Sequence, residues 1–234
     1  VLAIALQVAV NYANDYSDGV RGTDEVRTGP MRLVGSGAAT PAAVKRAALL
    51  AGGIGGLAGL ALCAWTGHWW LLAVGVACLI AAWGYTGGSK PYGYLGLGEV
   101  MVFVFFGLVA TAGTTYAQAG TVSLGAWCAA IAIGSLACAI LMANNLRDVH
   151  TDPATGKRTL AVRLGERNAR RAYVALLALP YVCAVVASAS SSVGLPLSLA
   201  PLLVLTTLPS AIALSLIVLR GAAGKVLIGV LRDT

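Results

Sequence analysis

The chain has 234 residues, of which 58% are hydrophobic and 11% charged, with a net charge of +7 and a mean hydropathy of +0.82. Soluble domains carry about a quarter charged residues, so a soluble enzyme is excluded, and long continuous apolar runs with little alternation exclude a barrel. The composition predicts an all-α, multi-pass transmembrane helical bundle forming one membrane domain over residues 1–234. Its positive charge reports loops on one membrane face rather than a nucleic-acid partner.

Residues 1–13 are apolar but fall short of the roughly 20 needed to span a bilayer. They are read as the end of a helix that starts before Val1. Residues 14–40 read as a polar loop, rich in charge and glycine. Thr40-Pro41 then forms a helix start, a cap followed by proline in the first turn. The helix it opens runs to about Trp65 and carries Gly52/Gly56 and Gly55/Gly59, pairs four apart that let a neighbouring helix approach closely. A turn near Gly67-His68 leads to a span over 69–86. The stretch Gly87–Glu99 follows, then spans over 99–117, 123–147, 170–188 and 195–219. This gives about seven helices, the first partial. The tail after Arg220 begins another apolar stretch, so the domain is read as truncated at both ends. Five cysteines, at 63, 78, 128, 138 and 183, lie inside apolar runs without metal-ligand spacing and read as buried thiols.

Threading this topology puts the loops at 14–40, 87–98, 148–168 and 220–225 on one side. All 16 Lys and Arg and all nine Asp and Glu belong to that side or to the helix ends beside it. The excess of basic residues makes it the cytoplasmic side of the cell's inner (plasma) membrane.

Two acidic motifs stand at ends of apolar runs on this face. In Asn14-Asp15-Tyr16-Ser17-Asp18, Asn14 and Asp18 are four apart. In Asp148-Val-His-Thr-Asp152 the two carboxylates have the same spacing, which on a helix puts them on one face. Pro153 marks the expected helix end. A solvated-loop reading accounts for either motif alone. Two copies with one spacing on one side point instead to a composite Mg²⁺ site, since Mg²⁺ takes carboxylate and amide oxygens and shares its shell with substrate phosphates. Arg21, Lys90, Arg147, Lys157 and Arg158 are candidates for a phosphate clamp. Arg163, Arg167, Arg170 and Arg171 read as topology and headgroup contacts. Gly156-Lys157 lacks the earlier glycine and the following hydroxyl of a phosphate loop, and Gly96-Leu97-Gly98 lacks the third glycine of a dinucleotide turn. Glu99 opens an apolar span on the same face as the acidic motifs, where a carboxylate is costly unless it serves a function. Tyr92 and Tyr94 stand just before it. A transporter would place its site near the midplane with access from both sides, and one-sided charge argues against that.

At these residues the chain resembles the UbiA superfamily of intramembrane prenyltransferases, whose hallmarks are an Asn-Asp-x-x-Asp motif and an Asp-x-x-x-Asp motif. Within it, the chain is similar to the 1,4-dihydroxy-2-naphthoate polyprenyltransferases of menaquinone synthesis. That likeness is carried by Asn11-Tyr-Ala-Asn-Asp-Tyr-Ser-Asp-Gly, by Lys90-Pro-Tyr-Gly-Tyr-Leu-Gly-Leu-Gly-Glu, and by Asn144-Asn-Leu-Arg-Asp-x-x-x-Asp with Gly156-Lys-Arg-Thr-Leu-Ala. Position 22 is Gly where the longer first motif often has Asp, and Asp24 stands two residues on. The resemblance implies a nine-helix fold and a Mg²⁺-dependent transfer from polyprenyl diphosphate to 1,4-dihydroxy-2-naphthoate with loss of carbon dioxide. It implies that Asn14, Asp18, Asp148 and Asp152 hold the metal, that Asp15 supports them, and that Lys90, Tyr92, Tyr94 and Glu99 receive the acceptor. The expected partners are these two substrates and membrane lipid, with no obligate protein partner. A sister activity on 4-hydroxybenzoate is the alternative acceptor reading, and the stretch from Lys90 to Glu99 disfavours it.

Overall fold

A computed structural model describes residues 1–22, 31–88, 91–190 and 200–234. Among them the chain is helical, with no strand, and forms two compact units, 1–95 and 96–234. Among the described residues five helices are long and apolar enough to cross a membrane: Pro41–Thr66, Gly98–Ala119, Leu124–Arg147, Glu166–Ala189 and Pro201–Leu219. The chain is a multi-pass membrane protein, and Asp24 and Lys90 lie outside the described residues.

The first unit holds α1 (Leu2–Val20), α2 (Pro41–Thr66) and α3 (Leu71–Thr86). Helix α1 corrects the reading of 14–40 as a loop. The helix continues through Asn14, Asp15 and Asp18 to Val20, because the polar side chains of its last two turns find partners and no helix breaker precedes Gly19. Ala5, Ala9 and Ala13 form a buried small-residue stripe at helical spacing. It matches the glycine pattern of α2: a Cβ on Gly55 would stand 3.1 Å from Leu6, and one on Gly59 would stand 3.8 Å from Leu2. Helix α2 starts as expected, with the Thr40 hydroxyl accepting the Ala43 N–H at 3.3 Å and proline at the first position. A short 3₁₀ turn, Tyr92–Leu95, closes the unit.

The second unit holds α4 (Gly98–Ala119), α5 (Leu124–Arg147), α6 (Leu160–Leu164), α7 (Glu166–Ala189), α8 (Pro201–Leu219) and α9 (Lys225–Asp233). Helix α5 is the most buried of the five spans. Its Ala139, Met142, Ala143 and Leu146 pack with Tyr173 and Leu177 of α7, Leu214 and Val218 of α8, and Leu227 and Val230 of α9. Ten residues of α4, Phe103–Ala112, take the wider π-helical form. At their centre Gly107 lies against Gly134 of α5. A Cβ on Gly107 would stand 2.6 Å from the Gly134 Cα, so the two backbones cross where neither residue has a side chain.

Helix α5 ends at Arg147, earlier than Pro153 suggests. The Asp148 carbonyl still accepts the Thr151 and Asp152 N–H groups, at 3.0 and 2.9 Å. The Thr151 and Thr155 hydroxyls, however, compete for the carbonyls of Asp148 and Asp152. The chain therefore tightens into a 3₁₀ turn over Asp152–Thr155. The tail after Arg220 is the amphipathic α9 rather than a bare apolar run. All five cysteines are free, four of them buried and Cys78 half-buried.

Candidate functional site

The first acidic motif occupies the last two turns of α1. Asp15 and Asp18 are both buried. Each oxygen of Asp15 accepts a backbone N–H from the turn that precedes α2: Leu33 N–H donates to Oδ2 at 2.9 Å and Val34 N–H to Oδ1 at 3.0 Å. Asp15 therefore ties residues 33–34 to α1. Asp18 accepts the Tyr94 hydroxyl at 2.7 Å. The Asn14 side-chain oxygen accepts the Thr86 hydroxyl at 2.8 Å, which leaves the amide group to point elsewhere. Spacing of four puts Asn14 and Asp18 on one face, while Asp15 is turned toward residues 33–34.

Arg21 sits past the end of α1. It donates to the Thr86 carbonyl at 2.5 Å and to the Gly88 carbonyl, and its guanidinium stands 5.4 Å from the Tyr94 ring centre. It thus caps the C-terminal end of α3, where a cation meets the negative end of the helix dipole. The Tyr92 hydroxyl is spent on the Ala81 carbonyl at 2.6 Å, and burial pushes it up to about 12. Of the aromatic candidates, Tyr94 alone reaches an acidic motif.

The second acidic motif follows α5. Arg147 is almost wholly buried and donates to both oxygens of its neighbour Asp148, at 2.8 and 2.5 Å. A fork of this kind neutralises the carboxylate while leaving it half-buried at the helix end. Asp152 is buried one turn on. Burial pushes its carboxyl up to about 6 against the pull of Lys157, and Asp148 adds to the rise. The Thr159 hydroxyl reaches it at 3.4 Å, and the Lys157 N–H closes the turn on the Asp152 carbonyl at 3.0 Å. The loop thus brings Asp148, Asp152 and Lys157 together, while Arg158 is exposed. Gly96 supports the same loop. It holds a positive φ of 75°, and any Cβ there would strike the Arg163 side chain.

Glu99 lies in the first turn of α4 and is 5% exposed. Its Oε1 accepts from the Asn145 amide at 2.9 Å. Its Oε2 is buried and has no hydrogen-bond partner among the described residues. Asn145 escaped the sequence reading. Its visible signal is an amide inside the last turn of an apolar span, but the partner is 46 residues away.

Arg170 has a different role from its basic neighbours. It donates to the Val218 and Ala222 carbonyls, at 2.6 and 2.8 Å, and pairs with Glu166, which stitches α7 to the end of α8. With Arg167, Arg171 and Leu219 these two residues line an open hollow of about 470 Å³. His150 lies 3.5 Å from Glu166, away from the acidic motif. Among the described residues no three His, Cys, Asp or Glu side chains gather as a preformed metal site. The oxygen donors come in pairs instead.

Residues 1–224 match a family model described as the UbiA prenyltransferase family. A "1,4-dihydroxy-2-naphthoate octaprenyltransferase" of Mycobacterium tuberculosis is 50% identical over the whole chain, covering 77% of that protein. The Mycobacterium leprae protein of that name is 49% identical with the same two coverages. The Escherichia coli one is 44% identical over 78% of this chain and 61% of its own length. No solved structure gives a significant match.

Proposed function

The chain belongs to the UbiA prenyltransferase family, and from that premise we propose that it transfers a polyprenyl group from polyprenyl diphosphate to 1,4-dihydroxy-2-naphthoate, with loss of the carboxyl as carbon dioxide, for menaquinone synthesis. The names of its half-identical relatives support this acceptor. The observation that carries the site is Asp152: a buried carboxyl raised toward neutrality, beside a second carboxylate, at the end of a membrane-spanning helix. Burial of that kind would be relieved by a cation bound with the substrate.

The donor set fits Mg²⁺. Hard oxygen donors in pairs are what the ion uses when phosphates and water complete its shell. Asn14 with Asp18, and Asp148 with Asp152, would hold it. Bound there, Mg²⁺ would neutralise the charge that develops on the departing diphosphate. Arg21, Lys90, Arg147, Lys157 and Arg158 are assigned to the diphosphate, with Lys157 best supported through its pull on Asp152. Asp15 holds the loop that frames the first motif. Lys90, Tyr92, Tyr94 and Glu99 are assigned to the aromatic acceptor, and the carbonyl-bound Tyr92 serves by shaping the wall. The apolar helices keep water from the allylic carbon once its bond to diphosphate loosens. We place this chemistry at the cytoplasmic face of the plasma membrane, where the acidic motifs and basic loops collect.

The test is prenyl transfer by membranes carrying the protein, given polyprenyl diphosphate and 1,4-dihydroxy-2-naphthoate, with Mg²⁺ or with chelator, beside Asp148→Asn. The expected result is a prenylated, decarboxylated product that needs Mg²⁺ and is lost in the variant. Product from 4-hydroxybenzoate alone would overturn the acceptor, and product from neither would overturn the activity.

A further inference from the structure

We propose that Glu99 is the group that takes, holds and returns the acceptor's hydroxyl proton, and that Asn145 is the residue that aims it. The inference rests on the prenyl-transfer reading and adds to it a proton path.

The geometry points there. Glu99 is nine-tenths buried in a membrane span, yet among the described residues only one of its oxygens is satisfied, by the neutral amide of Asn145. Leaving a buried acceptor oxygen empty is costly. The cost is recovered when a ligand brings a donor. Asn145 fixes the side chain through Oε1, so Oε2 is the oxygen presented. Asn145 is also three residues before Asp148 on α5, which sets it one helical turn deeper, by about 4.5 Å at 1.5 Å per residue. A group held at Glu99 thus lies about one turn inward of Asp148, the carboxylate assigned to the metal that would bind the diphosphate. The allylic carbon must lie there, because its tail runs into the apolar helices while its diphosphate stays at the motif.

The step balances. The ring carbon that bears the carboxyl forms a bond to the allylic carbon as the allylic carbon–oxygen bond breaks, and that electron pair leaves with diphosphate. The hydroxyl beside that ring carbon gives its proton to Glu99 Oε2 and becomes a ketone. The resulting β-keto carboxylate loses carbon dioxide. The electron pair released restores the aromatic ring, and the oxygen takes its proton back from Glu99. No net proton is consumed, so Glu99 needs no path to water.

Three measurements test this on the full chain in membranes. The first is Glu99→Gln, which keeps the shape and the bond from Asn145 but cannot take a proton. It should lower kcat by about 10²- to 10⁴-fold, the range of general acid–base catalysis, with the KM for polyprenyl diphosphate unchanged. Glu99→Asp should recover part of the loss, and Asn145→Ala should lower kcat less than Glu99→Gln. A wild-type kcat in Glu99→Gln would overturn the proposal, as would a loss that appears equally in the diphosphate KM. The second uses the wild-type protein and so does not depend on a variant folding. The acceptor's methyl ether at the hydroxyl beside the carboxyl should fail, and its loss and that of Glu99→Gln should not add. Turnover of that ether at the parent rate would overturn the proposal. The third is acceptor binding followed by naphthoate fluorescence. If the wild type transfers nothing to the naphthoate, the prenyl-transfer reading fails by itself. Binding then still decides the place of Glu99: weaker in Glu99→Gln supports it, and equal binding overturns it.

Discussion

Asp15 is the residue for which the sequence and the structure assign the most different work, so its substitution is the sharpest perturbation. The motif pattern groups it with the catalytic carboxylates. The structure gives both its oxygens to the Leu33 and Val34 N–H groups, at 2.9 and 3.0 Å. In Asp15→Asn one oxygen remains to accept, and the new amide turns a donor toward the other N–H. One charge-assisted hydrogen bond is lost, a loss of about 1.5–3 kcal/mol. Leu33 and Val34 are half-buried, so water recovers part of it and the lower end applies. If these amides exchange through local opening of 33–34, exchange should speed up about tenfold, at about 1.4 kcal/mol per tenfold. Asp15→Ala should approach twice the free-energy loss. Hydrogen–deuterium exchange on detergent-solubilised protein reads this directly, peptide by peptide. Exchange at Leu33 and Val34 unchanged in Asp15→Asn, with transfer lost, would refute the tethering argument and return Asp15 to the catalytic carboxylates.

Two further outcomes follow from the second unit. Gly107→Ala should lower the stability of the solubilised protein by about 1–3 kcal/mol, the cost of overpacking, because its Cβ would stand 2.6 Å from the Gly134 Cα and 2.8 Å from the Ala130 carbonyl. Gly113→Ala, in the same helix with nothing within 4 Å of the added carbon, should leave thermal unfolding unchanged or raise it slightly. Asp152 predicts a pH dependence of the metal-free protein. Its folded pKa of about 6 lies above the ordinary 3.8, so the folded state holds the proton more tightly than the unfolded chain. Its contribution is fully present below pH 4 and is lost as pH rises through about 6. Thermal melts across that interval should show the decline, and Asp152→Asn should remove Asp152's share of it.

What could be read in advance was whatever depends on spacing or on transfer energy. The helix start at Thr40-Pro41 needs only a hydroxyl three residues before an N–H, and it is where the pattern put it. The glycine pairs of α2 marked a close helix contact, and Gly55 and Gly59 face α1. Where the reading went wrong, long-range partners decided. Residues 14–20 look like loop by composition, yet they are helix because Tyr94, Thr86 and the 33–34 backbone satisfy their polar groups. Such partners are 18 to 76 residues away, and no local window contains them. The same limit hid the helix α9. Its burial depends on Leu227 and Val230 finding a core assembled from α5, α7 and α8.

The end of α5 shows why depth matters more than proximity in sequence for a membrane enzyme. An apolar helix that surfaces through Asn145, Asp148 and Asp152 arranges its polar groups by distance from water. The amide is innermost and packs on the buried Glu99, Asp148 is half-exposed against its own arginine, and Asp152 is folded back under Thr159. In water these three would be interchangeable polar side chains. Crossing a gradient from hydrocarbon to solvent, each meets a different solvation cost and so a different role. A substrate with an apolar tail and a diphosphate head is sorted by the same gradient. The helix that aligns with it therefore needs to supply only the groups that gradient leaves unsatisfied.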